Sequence, residues 1–489
     1  MFDLVRKINS AHLFSVIMRF SGRCLYFRVF ILISMKLKSL LIAGFLIVTA
    51  TTFSQEEKAV KAIFDEAMTD TTAYHNLRLL CKNHKGRITG TPEANKAVDF
   101  VAELMQQMQL DRVEKQPVTV PRWVRGEAEK AFIISGQNEK TEVPVSALGM
   151  SIGTGEKGLI AQVIEVQNFK EIETLGTKNI AGKIVFFNRP MNPTLINTFA
   201  AYGGAGDQRS QGAAQAARFG AVGVVVRSLT TASDNFPHTG VMRYNDTIPK
   251  IPAVAISTKG ADLLSTTLKN NPETQFSFRT TCYQLPDSVS YNVIGEIKGS
   301  EFPDQIITVG GHLDAWETGE GAHDDGAGCM QSLDVLRIFR ELRIKPKRTI
   351  RAVAFMDEEV AQRGGKEYAR QAELKKETHY FALEADRGAY MPKGFGISAP
   401  DERLEKMLAL QKYFEPYGID DFVKGGGGVD IGSLAKFGTP LSSFIPEMQR
   451  YFDVHHSGYD TFEQVHLREF QLGSAAIASF IYLIDKEDL

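Results

Sequence analysis

Five short clusters of imidazole and carboxylate side chains hold the chemistry this chain could do. In order they are GGHLD, with His312 and Asp314; AHDDG, with His323, Asp324 and Asp325; FMDEE, with Glu358 and Glu359; LEADR, with Glu384 and Asp386; and DVHHSGYDT, with His455, His456 and Asp460. Each alone has a bland explanation. A lone His-x-Asp is usually a satisfied polar pair, and adjacent acids such as Glu358–Glu359 usually face solvent at a helix start. Their concurrence changes the argument, because all five fall at or just beyond the ends of strand-like runs in one half of the chain. Two acids closely follow apolar runs, where charge beside a core strand is costly unless something pairs with it. Zinc takes His nitrogen and carboxylate oxygen, and a catalytic site keeps one position open for water. Two metals sharing a carboxylate need about five protein ligands, as many as this set offers. Glu384 competes with Asp386 for a place in it, and His455 with His456.

The elements that must position these residues follow from hydrophobic periodicity. From Ser290 onward, strand-length runs at Ile306–Gly310, Ile350–Phe355 and Tyr380–Glu384 alternate with helical patterns near Ala327–Leu342, Glu402–Phe414 and His466–Ile484. Such alternation predicts an α/β domain, a mainly parallel mixed sheet with helices on both faces. In such sheets chemistry gathers at the carboxyl ends of the strands. Residues 56–110 also read as helical, broken by a turn-rich stretch from Gly86 to Pro92. Between Gly126 and Gln284 the texture shifts to short β-like runs (Ala131–Ile134, Lys183–Phe187, Ala221–Arg227, Ala253–Ile256) and one small-residue helix, Gln211–Phe219. That stretch reads as a separate β-rich domain.

With 489 residues, the chain is long enough for two or three domains. Its 43% hydrophobic and 23% charged content is that of a globular protein. Residues 1–54 hold seven basic residues and one acid; the rest has 49 basic against 57 acidic, so it offers no general attraction to nucleic acid or anionic lipid. From Met35 the order of two lysines, an apolar run from Leu40 to Val48 and then small and polar residues is that of a secretory signal, with cleavage expected between about residues 49 and 56. Met35 is the expected true start, and a retained anchor is the competing reading. The apolar run is short of the roughly 20 residues a spanning helix needs. Outside this leader, which holds Cys24, three cysteines remain: Cys81, Cys282 and Cys329. They allow at most one disulfide and read as core thiols.

The order GGHLD, HDDG, EE, ExD and HHSxxDT resembles the M28 metallopeptidase family, in its carboxypeptidase Q-like branch. NIAGKIVFF, SQGAAQAARFGAVGVVVRS, FPHTGVMRY and PKIPAVAIS resemble the protease-associated (PA) domain inserted in that branch. The resemblance spans residues 57–485. It implies a zinc exopeptidase fold: after the leader read above, at 1–54, come a first part of the peptidase domain at 55–125, an inserted PA domain at 126–284 and the main part at 285–489. It implies two Zn2+ ions: Asp324 bridging both, His312 and Asp386 completing one site, Glu359 and His456 the other. Asp386 is preferred over Glu384 because it matches the branch pattern. His456 is preferred over His455 because it keeps a four-residue offset to Asp460. Glu358 matches the general acid/base that takes a proton from the attacking water. Asp314 is expected to accept a hydrogen bond from His312 and fix its tautomer. A cis peptide between Asp324 and Asp325 is implied as well. The substrate is then a short peptide or dipeptide, the enzyme is exported, no nucleic acid or membrane span is involved, and a homodimer is allowed. Three other functions stay open: a glutaminyl cyclase-like enzyme with one zinc, a receptor-like relative without catalysis, and a module binding peptidoglycan or a lipid anchor.

Other features read more plainly. Gly425–Gly428 lacks the Lys-Ser/Thr of a nucleotide loop, so it is expected to turn near the substrate pocket, with Asp430 capping a helix from Ile431. Asp460 and Thr461 read as a helix or turn cap. His238, in FPHTG, is either a satisfied loop residue or part of a loop over the metal cleft. Arg387, beside Asp386, could attract a substrate carboxylate, though the motifs do not say which end of the peptide is read.

Overall fold

In the computed structural model, which describes residues 55–136 and 139–489, the chain builds one sheet, leaves it to build another, and returns. The expected leader lies outside the described residues. Both sheets belong to one compact unit, Val60–Leu489.

Strand β1 (Arg112–Val124) starts the first sheet. The second sheet follows, from β2 (Lys130–Ile134), β3 (Lys140–Glu142), β4 (Val145–Ala147), β5 (Leu159–Val166), β6 (Ile184–Phe187), β7 (Gly223–Arg227), β8 (Ala253–Ile256) and β9 (Gln275–Arg279). The chain re-enters the first sheet at β10 (Tyr283–Ile297), which runs antiparallel to β1 with Val124 opposite Tyr283, so the departure and return points are neighbours. The first sheet is completed by β11 (Phe302–His312), β12 (Arg348–Phe355), β13 (Thr378–Glu384), β14 (Pro392–Ser398), β15 (Asp421–Lys424) and β16 (Leu441–Pro446), in the order β1-β10-β12-β11-β13-β16-β14-β15. Its centre, β12-β11-β13-β16, is parallel, and its flanks include antiparallel pairs. The fold is therefore mixed α/β.

Both faces of this sheet are covered, as its apolar strands require. Alternate residues of β12 enter different cores: Ile350, Ala352 and Ala354 pack with the helix Ala327–Glu341, while Val353 and Phe355 pack with Tyr368 and Ala369. Ala327–Glu341 is buried almost throughout, wedged among the sheet, Thr72–Asn83 and Leu467–Lys486. That sandwiching fixes the carboxyl ends of β11, β12 and β13.

The strands read from the sequence are present within a few residues. Three features differ. The 126–284 stretch is more helical than its texture suggested, with Phe169–Ile180, Thr198–Gly203, Gly206–Ala217 and Thr258–Asn270 beside its strands. Only Asp401–Leu408 of the expected Glu402–Phe414 helix is α-helical; Ala409–Tyr413 tightens to 3-10. No helix starts at Ile431: the turn begins at Gly432 as 3-10, without a side-chain cap, so Asp430 does not cap it. Cys81, Cys282 and Cys329 are buried free thiols. Among the described residues no helix is long and apolar enough to cross a membrane.

Candidate metal centre

The five clusters meet at the carboxyl ends of the parallel strands. His312 is the last residue of β11, and β12 runs out into Asp357, Glu358 and Glu359. Asp386 lies two residues beyond β13. Asp324 sits in a tight π turn, Ala322–Gly326, ahead of the buried helix, and the Asp324–Asp325 peptide is cis. His456 follows the short helix Tyr451–Val454 with a left-handed backbone (φ 61°), and Asp357 is left-handed too (φ 72°). Both are unfavourable conformations for residues with side chains, held where the chain turns its polar groups inward.

Asp324 is the hub. Its Oδ1 is 3.1 Å from His312 Nε2, and that same nitrogen is 3.5 Å from Asp386 Oδ1. Its Oδ2 is 3.4 Å from His456 Nε2, which is 2.9 Å from Glu359 Oε2. One carboxylate thus divides its oxygens between two groups of donors. Asp324 Oδ2, Glu359 Oε1 and Asp386 Oδ1 are buried yet accept no hydrogen bond. Each such atom costs about 1–3 kcal/mol if left alone. Divalent cations would satisfy all three, and two imidazoles with three carboxylates suit zinc.

The electrostatics agree. Burial pushes the Glu359 carboxyl well up, with Asp324 adding to the rise; burial likewise raises Glu358, with Asp386 and Asp324 adding and His312 opposing. Burial would also raise Asp324, but the imidazoles of His455 and His312 outweigh it and hold that carboxyl low. His456 is held neutral by burial, the form in which its Nε2 can ligate. Bound cations would reverse the upward carboxylate shifts.

Neighbouring residues fix this geometry. The Asp460 carboxylate accepts the main-chain N–H groups of His323 (2.8 Å) and Asp324 (3.1 Å), so it caps the π turn of a distant segment, not its own. Thr461 makes no side-chain cap. Asp325 ties β11 to the buried helix, accepting from the N–H of His312 and of Gly328. Arg87, fully buried, donates to the carbonyls of Leu313, Glu320 and Gly321 and so pins the loop between His312 and Asp324. Sequence reasoning missed Arg87; its only signal was a cation in the Gly86–Pro92 turn.

Asp314 departs from expectation. His312 Nδ1 donates to the Asp314 main-chain carbonyl at 2.8 Å, while the carboxylate Oδ1 is 4.0 Å away. The tautomer is still fixed, but by the backbone. The Asp314 carboxylate instead accepts from the N–H of Asp357 (2.7 Å) and Glu358 (3.2 Å), setting the turn that presents Glu358. Glu358 is partly exposed and is absent from the groups whose oxygens and nitrogens converge. Glu384 is committed elsewhere: its oxygens accept from Val429, Asp430 and Ile431, which favours Asp386 at the centre. His455 comes closer than expected, stacked on His456 at 3.6 Å with Nε2 3.6 Å from Asp324 Oδ2.

The loop holding His238 reaches this centre. His238 bridges to Ser457, its Nδ1 donates to the His455 carbonyl at 2.6 Å, and Thr239 N–H donates to the His456 carbonyl at 2.9 Å. His456 Nδ1 in turn lies 3.3 Å from the Thr239 carbonyl, a contact that leaves Nε2 free to ligate. A small cavity lies beside Asp324, Glu359 and His456, walled by Trp316, Ser457 and Asp460.

Comparison with known proteins places this arrangement. The profile of Peptidase family M28 matches residues 292–481. Human carboxypeptidase Q is 31% identical over 418 residues, 85% of this chain and 86% of that protein. Carboxypeptidase Q of Xenopus laevis is 33% identical over 414 residues, 84% and 86% respectively. Among solved structures, a peptidase M28 precursor from Shewanella amazonensis superposes with a TM-score of 0.84 at 33% identity, covering 88% of this chain and 97% of that one. BSAP, a zinc aminopeptidase from Bacillus subtilis, shares the fold at a TM-score of 0.61 and 20% identity, covering 84% and 94%.

Proposed function

The chain belongs to peptidase family M28, and from that premise we propose that this metallopeptidase is a two-zinc exopeptidase acting on short peptides or dipeptides. One observation carries the reading: the two oxygens of Asp324 face different donor groups, His312 with Asp386 and His456 with Glu359. Those five residues would hold two Zn2+ ions. Zinc bound there would polarise a carbonyl and lower the pKa of water to near neutrality.

The rest is done by the chain's own groups. The Glu358 carboxylate takes the proton of the attacking water and returns it to the departing amide nitrogen. Asp314 holds the Glu358 turn, and Asp460 and Arg87 hold the Asp324 turn. Residues 126–284 act as a PA domain inserted between the two parts of the peptidase domain, 55–125 and 285–489. Its Thr239 orients His456, and the FPHTG loop limits the space for long substrates. The protein is exported, and the leader at 1–54 is removed.

The test is mass spectrometry of zinc-reconstituted protein incubated with a library of free dipeptides, short peptides and doubly blocked peptides. Free dipeptides should be split and longer peptides shortened one terminal residue at a time. Cleavage confined to internal bonds of blocked peptides would refute exopeptidase action. Pyroglutamyl products without hydrolysis would favour a cyclase.

A further inference from the structure

Most buried arginines of this protein are matched. Arg87 has three carbonyls, Arg337 has Asp334 and Glu66, and Arg351 has Glu296 and Glu377. Arg387 is different. It directly follows Asp386 and is partly buried, and its one hydrogen bond among the described residues goes to the Met448 thioether at 3.8 Å. No carboxylate among the described residues comes within ion-pair distance of it. Asp386, its nearest acid in sequence, has an oxygen turned toward His312.

The surroundings hold this guanidinium in place without an ion pair. It lies 5.1 Å from the centroid of the Phe199 ring. Phe199 belongs to the helix Thr198–Gly203 and stacks on Tyr451 at 5.5 Å, in the short helix that leads to His455 and His456. Thr198 Oγ1 donates to the Met448 carbonyl, and Gln449 donates to the Ile196 carbonyl, so two hydrogen bonds stitch the seam that Arg387 rests on. A guanidinium resting on an aromatic face keeps its in-plane N–H groups for a partner at its edge. An unpaired cation beside a centre that would hold cations is electrostatically unfavourable, unless an anion arrives during function.

We propose that Arg387 receives the free α-carboxylate of the substrate, so that the enzyme reads the carboxyl end of a short peptide; this rests on the reading of the centre as a peptidase site. A planar fork of N–H donors matches a carboxylate in bidentate fashion, which a C-terminal amide cannot reproduce. Arg209, another arginine near the centre, donates to the Thr239 carbonyl at 3.4 Å, on the opposite donor group, and is the competing candidate.

The test compares an unblocked dipeptide with its C-terminal amide on zinc-loaded full-length protein. Turnover and calorimetric binding are measured for the wild type, Arg387→Met, Arg387→Lys and Arg209→Met. The wild type should prefer the acid through KM. Arg387→Met should raise KM for the acid by roughly tenfold to a hundredfold, the scale of lost hydrogen bonds to a charged group, and collapse the acid-to-amide ratio toward one. Arg387→Lys should recover part of the ratio, keeping the charge but not the fork, and it also decides the matter if the Met variant does not fold. Equal losses on acid and amide would overturn the proposal, as would a ratio that collapses in Arg209→Met instead. If the wild type hydrolyses neither peptide, the peptidase reading fails by itself. Binding of the same two peptides still decides Arg387: acid-specific affinity lost in Arg387→Met supports it, and equal wild-type affinity for acid and amide overturns it.

Discussion

Glu358→Gln is expected to keep its zinc and lose turnover by about 10²–10⁴-fold, the share that a positioned acid/base contributes. The substitution is nearly isosteric, and the hydrogen bonds that set this turn run from the main-chain N–H groups of Asp357 and Glu358 to Asp314, so the backbone should not move. Glu359, not Glu358, faces His456 at 2.9 Å, so the donor set stays intact. What disappears is the proton acceptor: an amide cannot take a proton from water at neutral pH. Zinc analysis and steady-state kinetics on the purified variant check both halves. Activity within a few-fold of the wild type would remove Glu358 from the reaction. Loss of zinc in parallel with activity would make it a structural residue of the centre.

Asp324→Asn is expected to weaken both metals, whereas His456→Ala weakens chiefly one. Asp324 approaches both donor groups, through Oδ1 toward His312 and Oδ2 toward His456. Replacing one of its oxygens by an NH2 group puts a donor where a cation needs an acceptor, and it removes the negative charge shared by both sites. His456 serves one group only, with Glu359. Its removal leaves His312, Asp386 and Asp324 in place. Zinc content after dialysis should fall toward zero in Asp324→Asn and toward one ion per chain in His456→Ala. Equal losses in the two variants would count against a shared carboxylate.

How much of this could be read from the sequence depends on how far apart the partners lie. Acids that end apolar runs mark strand ends whatever the tertiary context, which is why Glu359 and Asp386 stood out. The alternating pattern likewise gave β11, β12 and β13. Supporting contacts were not legible because they cross the chain. Asp460 reaches back to the Asp324 turn from 136 residues away, and Arg87 reaches Leu313 across 226. Edge strands were missed for another reason. β1 carries Pro117 and Pro121 among alternating polar residues, and only its pairing with β10 makes a strand of it. Asp430 looked like a cap because acids usually are caps at such positions. Instead it is buried, with neither oxygen hydrogen-bonded, while Glu384 collects the local N–H groups. The Asp314 reading failed within two residues: a carbonyl and a carboxylate of one residue are indistinguishable as acceptors until the backbone direction is known.

The central claim is that five side chains, sharing Asp324, hold two zinc ions for peptide hydrolysis. Its most direct test is zinc titration of chelator-stripped protein, with bound metal counted by mass spectrometry and dipeptide hydrolysis followed in the same samples. Two zinc ions per chain are predicted, with activity absent from the stripped protein and restored as the sites fill. Saturation at a single ion per chain, or full hydrolysis without bound metal, would contradict it.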